Sequence, residues 1–339
     1  MPYSNFHLTS LMLSMFAFIL QSPGQAKIHL KTNKNSNPIS VTAINPPENG
    51  LIVIWKSNTS LVNKNNWKAI HAFPTSKLNS AELHIKPKTG ERAFFKLSWQ
   101  PITLSDRLVW ISPGEFRMGS PNNEAGRFKD EGPVHSAFVA HGFWMERYEI
   151  TQQRFQNIMG NNPSSTEFKS NLPVNRVTWH EAVQFCEKLT NLSQSNGQLP
   201  LGYAYRLPTE TEWEYACRAG TNNAYSYGDS IDKLSEYGWW AKNSGSEPEP
   251  VGKLKPNPWG LYDMHGNLFE WCLDSYNSYP GGKAFSSTGN MKVLRGGAYY
   301  CPSNILRSAC RAESQEPNYR WILAGFRVVL APKITQKNN

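Results

Sequence analysis

The residues of this sequence best suited to redox or soft-metal chemistry are its five cysteines, at positions 186, 217, 272, 301 and 310. Cys301 and Cys310 lie on either side of Leu306 in the stretch RGGAYYCPSNILRSACR (295–311). Two thiolates brought together form a soft site of the kind that takes Cu(I). The same spacing is compatible with a disulfide from Cys310 to a distant cysteine and a buried, inert Cys301. A second constellation is DMHGNLFE (263–270), where Asp263 and Glu270 stand seven residues apart around a Gly266-Asn267 turn. Folded together with turn carbonyls, they would give the hard oxygen set that calcium prefers; alternatively, this is a plain turn with both carboxylates in water. His135, His141, His180 and His265 are scattered, without the paired spacing of a zinc or iron site, and read as ordinary polar or core histidines. No nucleophile elbow, phosphate loop or dinucleotide fingerprint is present.

Few regular elements are available to position these groups. A short helix opens at Thr151. A second opens on the capping box Thr178-Trp179-His180-Glu181, whose Thr and Glu satisfy amides left orphaned at a helix start, and places Ala182, Phe185, Cys186 and Leu189 on one core-facing side. A third repeats the device at Thr209-Glu210-Thr211-Glu212, buries Trp213, Ala216 and Cys217, and stops at Gly220. Beyond it lie turns and short strands, ending in Gly325-Phe326-Arg327-Val328-Val329-Leu330 as the expected last strand. The fold class is therefore α+β, low in regular secondary structure. Irregular backbone must find hydrogen bonds in side chains, water or ions, so bound metal ions are expected as struts.

Ahead of this domain the chain changes character. Residues 1–26 carry an uncharged apolar run (LTSLMLSMFAFIL, 8–20), then Pro23, Gly24 and a small-residue exit, which reads as a signal peptide and places the mature protein outside the cell or in the periplasm. The run is shorter than the about 20 apolar residues of a membrane span, and no other span is expected in the mature chain. Residues 27–100 alternate β-branched and aromatic runs with turn signals and read as a small β domain, a spacer or a binding unit. That segment carries 11 Lys/Arg against 3 Asp/Glu, a net +8, while residues 101–339 carry 24 against 23, a net +1. Its lysines are spread singly among Asn and Ser, which favours a solvated face over nucleic-acid binding. In an exported chain five cysteines allow at most two internal disulfides and leave at least one thiol.

Seven motifs in order then carry a resemblance: VWISPGEFRMGS (109–120), HGFWMERYEIT (141–151), LPVNRVTWHEAVQFCEKL (172–189), YRLPTETEWEYACRAG (205–220), NPWGLYDMHGNLFEW (257–271), RGGAYY (295–300) and AGFRVV (324–329). The stretch 106–332 resembles the formylglycine-generating enzyme, or sulfatase-modifying factor, family, with 333–339 left as a tail. The resemblance implies a C-type-lectin-like fold supported by calcium, and an oxidase that uses O2 and Cu(I), held by two cysteines, on a Cys-x-Pro-x-Arg segment of a sulfatase. Cys301 matches the first of those cysteines and is the implied catalytic residue, but the second falls on Leu306, and an active-site Ser is Ala298. The resemblance also implies a Cys217–Cys310 disulfide, an unpaired Cys186 whose partner position is Val328, and calcium held by the side chains of Asp263 and Glu270 and the carbonyls of Gly266 and Leu268. A second calcium site would fall between Ala241 and Val251, where only Asn243 is retained. The expected function is a calcium-supported, lectin-like binding or pseudoenzyme domain. The alternative is an oxidoreductase that modifies a peptide cysteine, of a sulfatase or another protein, through Cys301.

Overall fold

In the computed structural model the described residues are 104–200, 202–281, 291–311 and 313–334, together with the backbone of five strands between 27 and 100. These five are β1 (Lys27–Lys31), β2 (Ser40–Ile44), β3 (Leu51–Ser57), β4 (Lys68–Pro74) and β5 (Phe94–Gln100). β1 and β2 form an antiparallel pair, and β3 lies between β4 and β5, antiparallel to both. The signal-peptide expectation for 1–26 falls outside the described residues.

The larger unit, Ser105–Leu192 with Tyr205–Ala331, carries the motifs. It begins with β6 (Leu108–Ile111), β7 (Gly114–Met118), β8 (His135–Val139) and β9 (Phe143–Glu146). Helix α1 (Gln152–Met159) starts where the Thr151 hydroxyl accepts the Arg154 amide and ends at left-handed Gly160. Helix α2 (Trp179–Ser195) opens on the expected reciprocal cap: the Glu181 amide donates to the Thr178 hydroxyl at 3.1 Å and the Thr178 amide to Glu181 Oε2 at 3.0 Å. After β10 (Tyr203–Arg206), α3 (Glu210–Arg218) repeats that box with Thr209 and Glu212, and its first left-handed residue is Ala219 rather than Gly220. A single turn, α4 (Leu234–Tyr237), precedes β11 (Phe269–Ser275), β12 (Lys292–Arg295), β13 (Glu313–Gln315), β14 (Ala324–Gly325) and β15 (Val329–Pro332).

The sheets are small, in strand orders β10-β15-β9-β6, β13-β12-β11-β14 and β7-β8. The last strand inserts beside the early β9, with Val329 opposite Met145. The expected final strand is interrupted: Phe326, Arg327 and Val328 lie outside a strand, although the Phe326 and Val328 carbonyls still accept the Ile150 and Glu146 amides, and Arg327 turns inward to a buried acid.

The domain is α+β with much irregular backbone, and buried guanidinium groups carry much of the strutting. Arg327 donates to the carbonyls of Glu146, Arg147 and Tyr262. Arg295 donates to those of Ser308 and Ala309. Arg307 holds the Gly126 carbonyl at 2.8 Å while pairing with Glu131 and Glu124. Each planar fork satisfies several carbonyls that no helix or sheet serves, which is why Arg rather than Lys fills these buried positions. Arg295 is matched by Glu214 and Glu210, and Arg327 by Glu270, in the same interior.

Candidate functional site

Cys301 follows β12 through a turn at Gly296 and Gly297. Gly297 has φ +76°, and a Cβ there would stand 2.9 Å from the Leu306 side chain, so only glycine lets the two segments close up. The Cys301 amide donates to the Ala298 carbonyl at 2.9 Å and its own carbonyl accepts the Ala241 amide at 3.1 Å. The thiol packs, half-buried, against a cluster formed by Ala224, Tyr225, Leu234, Trp240 and Leu306. Leu306 is wholly buried in that cluster. Burial pushes the Cys301 thiol up to about 11, away from the thiolate that nucleophilic or metal chemistry needs.

Below this cluster lies His265. Its Nδ1 is 2.9 Å from the Leu306 carbonyl oxygen, and its Nε2 is 3.0 Å from the Ser226 amide nitrogen. Since the amide can only donate, Nε2 is the acceptor and Nδ1 carries the hydrogen. Burial pushes this imidazole down to about 4, so it is neutral, as a core histidine should be.

The acidic motif is buried as well. Glu270 holds Arg327 with both oxygens, Oε1 to Nη2 at 2.6 Å and Oε2 to Nε at 2.7 Å, and Oε2 also accepts the Trp213 indole at 2.8 Å. Asp263 Oδ2 accepts the Gly252 amide at 2.8 Å, while Oδ1 is buried without a hydrogen-bond partner. Glu149, which sequence reasoning missed, accepts the Leu268 amide at 2.9 Å and the Asn267 side-chain amide at 2.6 Å. Burial, together with the charges of Asp263 and Glu270, raises Glu149 well above the carboxylate range, and burial raises Asp263 to about 6. Three carboxylates thus face one guanidinium. Among the described residues no three His, Cys, Asp or Glu side chains converge on a metal position.

Of the expected calcium residues, Glu270 is committed to Arg327 and Asp263 to the Gly252 amide. The expected disulfide is not formed. All five cysteines are in the thiol form, and Cys217 Sγ is directed at the Met264 carbonyl, 3.7 Å away, and at His265, not at Cys310. Cys186 is a buried thiol, raised by burial. Asn243 spends its side chain on main-chain groups, accepting the Trp240 amide at 2.8 Å and donating to the Gly238 carbonyl at 3.1 Å. Arg327 sits in the otherwise apolar run Gly325-Phe326-Arg327-Val328-Val329, where a lone base is the signal that marks it; Glu149 follows the charged pair Glu146-Arg147 and carries no such signal.

The family model of the sulfatase-modifying factor enzyme 1-like domain matches residues 95–332. The chain belongs to that family. Over 216 residues it is 30% identical to the mouse formylglycine-generating enzyme, a match covering 57% of this chain and 52% of the mouse protein. It is 29% identical over 223 residues to the chaperone protein LppX of Paenibacillus barcinonensis, covering 52% of this chain and 74% of LppX. It is 30% identical over 246 residues to the serine/threonine-protein kinase pkn1 of Chlamydia caviae, but spans only 36% of that protein. Among solved structures, Treponema denticola variable protein 1 matches 73% of this chain and 98% of its own, with 26% identity and a TM-score of 0.57. PvdO from Pseudomonas aeruginosa matches 66% and 94%, with 27% identity and a TM-score of 0.56. The sulfatase-modifying factor fold is thus shared by proteins with several different names, and the sulfatase-modifying factor domain of this chain has to be judged on its own site.

Proposed function

We propose that this sulfatase-modifying factor domain is an exported, calcium-supported binding domain without the copper oxidase chemistry. The observation that carries the reading is the packing of Cys301 against Leu306. Where the resemblance places a second copper cysteine, a fully buried leucine fills an apolar cluster, and burial raises the remaining thiol to about 11. Cu(I) favours two thiolates, so these residues do not fit it and no oxidase step is derived through them.

Calcium fits better. Of the three buried acids only Glu270 is answered by an arginine; burial holds Glu149 and Asp263 towards their protonated forms, and Asp263 Oδ1 has no hydrogen-bond partner. A hard divalent ion would supply both the charge and the missing contact. Asp263 and Glu149, with the carbonyls of Gly266 and Leu268, are the groups that would hold it, while Glu270 serves chiefly to fix Arg327. When bound, the ion would neutralise the cluster and lock the 263–268 turn against Glu149.

The alternative is an oxidoreductase acting on a peptide cysteine, of a sulfatase-type or other protein. It draws on the half-burial of Cys301, which contrasts with the full burial of the other four cysteines. The deciding experiment incubates the purified chain with Cu(I), O2 and a Cys-x-Pro-x-Arg peptide and looks for the aldehyde by mass spectrometry, alongside an anaerobic Cu(I) titration against a competing chelator. No aldehyde and no stoichiometric tight copper are expected. Aldehyde that disappears in Cys301→Ala would overturn the binding reading in favour of the oxidase.

A further inference from the structure

A groove of about 520 Å³ that Cys301 does not line opens between α1, the loop before Leu172 and the segment around Val251. Its volume lies in the range of small-ligand sites. Two arginines are the charged side chains of its lining, Arg107 and Arg154. Both are tied to one carboxylate: Glu146, fully buried, takes Arg107 Nε at 3.2 Å and Arg154 Nη2 at 2.8 Å. One acid therefore answers two guanidinium groups, and a positive charge is left over at the groove wall. The two side chains remain 33% and 20% exposed, so the charge is within reach of a ligand. Arg107 Nη2 is buried and lacks a hydrogen-bond partner.

The rest of the wall is neutral and hydrogen-bonding. Gln153, Arg154 and Asn157 stand on one side of α1, at spacings of one and four residues, and Asn171 faces them from the loop. Tyr148 adds a flat apolar surface whose orientation is fixed from three directions. Its ring lies 5.5 Å from the Arg107 guanidinium and 5.1 Å from the Tyr262 ring, and Gly252, at φ +72°, has no Cβ to push it away. An aromatic face beside amide side chains matches the two faces of a pyranose, apolar C–H on one side and hydroxyls at the rim; uncompensated guanidinium matches a carboxylate or sulfate on it.

We propose that this groove binds an anionic saccharide, its acidic group held by Arg107 and Arg154 and a sugar ring laid on Tyr148. The site uses none of the residues of the calcium or Cys301 argument and stands whether or not that reading survives.

The test is a calorimetric titration of the full chain with a uronate tetrasaccharide, a sulfated oligosaccharide of equal length, a neutral tetrasaccharide, sodium sulfate and an acidic peptide. One of the two acidic saccharides binds at least about tenfold more tightly than the neutral one and than sulfate alone, and which one it is identifies the charged group. Arg154→Gln weakens that binding about tenfold. Because Arg154→Gln also removes a partner from buried Glu146, Asn157→Asp is the second variant: it sits exposed on α1, leaves the Glu146 pairs intact, and puts a negative charge on the wall, so it weakens the acidic saccharide by a similar factor while leaving the melting temperature unchanged. No acidic saccharide binding tighter than about 10 mM would overturn the proposal. So would equal affinity for the neutral sugar, tighter binding of the acidic peptide, or insensitivity to Asn157→Asp.

Discussion

His265 is tied to Leu306 through the main chain, its Nδ1 lying 2.9 Å from the leucine carbonyl oxygen while the side chain of Leu306 fills the cluster above. One neutral imidazole thus fixes the segment in which the family's second thiol would stand, and joins it to the 263–270 turn. The apolar half and the acidic half of the candidate site are held together by this bond.

Burial of this imidazole makes stability depend on pH in a direction that can be worked out. His265 is pushed down from the ordinary 6.5 to about 4, so between those values the unfolded chain binds the proton that the folded chain refuses. Its contribution is complete above pH 6.5 and is lost as pH falls towards 4, at most roughly 3 kcal/mol for a shift of this size. Asp263 works in the opposite sense: raised from 3.8 to about 6, it makes the folded state gain stability as pH falls through that interval. The difference between wild type and His265→Asn in urea unfolding at pH 4.5, 6 and 7.5 isolates the histidine. The variant is less stable at pH 7.5, and the gap closes towards pH 4.5; a gap of constant size would remove the neutral-histidine account.

The thiols provide a second check. Under denaturing conditions five thiols react, since no disulfide is formed. In the folded protein Cys301 reacts first and slowly, because a thiol raised to about 11 is almost wholly protonated at neutral pH. Three thiols in the denatured, unreduced protein would restore one bridge and overturn the reduced arrangement.

Leu306→Cys tests whether copper chemistry fails for want of one sulfur. The substitution removes buried volume and costs about 2 kcal/mol. In return it places a thiol in the cluster that Cys301 already borders, and Cu(I) affinity rises by at least about a hundredfold, because two-sulfur coordination becomes possible. Competition with a chromogenic Cu(I) chelator reads this directly, and equal affinities of variant and wild type would mean that the two positions do not face each other.

Calcium raises the melting temperature, and more so at pH 8 than at pH 5, since protons compete with the ion for Glu149 and Asp263, both raised. Asp263→Asn abolishes that calcium response. If a chelator leaves the melting temperature unchanged at pH 8, calcium is not part of this fold.

Glu270→Gln separates a structural acid from a ligand. With Arg327 left as a buried, half-answered charge, the variant loses on the order of 3 kcal/mol. The loss is similar in calcium and in chelator. A loss seen only in calcium would instead make Glu270 a direct ligand.

Much of the fold was legible. Thr178-x-x-Glu181 and Thr209-x-x-Glu212 marked two helix starts because a capping box is local chemistry, complete within four residues. The absence of the Cys217–Cys310 bridge was not legible, since a disulfide depends on the spacing of distant backbones. Nor was the commitment of Glu270 to Arg327, 57 residues apart in sequence. That buried Arg side chains would also serve the irregular backbone was not legible either, because their carbonyl partners lie far away in sequence. Glu149 escaped notice because its partners, Asn267 and Leu268, lie more than a hundred residues away.

The pairing of β9 with β15 also governs how this protein can be made. Met145 leaves the ribosome long before Val329, its partner across the sheet, and Glu131 long before Arg307. At about 5–20 residues per second the interval is on the order of ten seconds or more, during which the apolar Phe143-Trp144-Met145 strand has no neighbour on that side. Folding of the domain is therefore deferred until β15 has been made. A message truncated between codons 146 and 329 should leave the larger unit without a stable fold, a substrate for proteases.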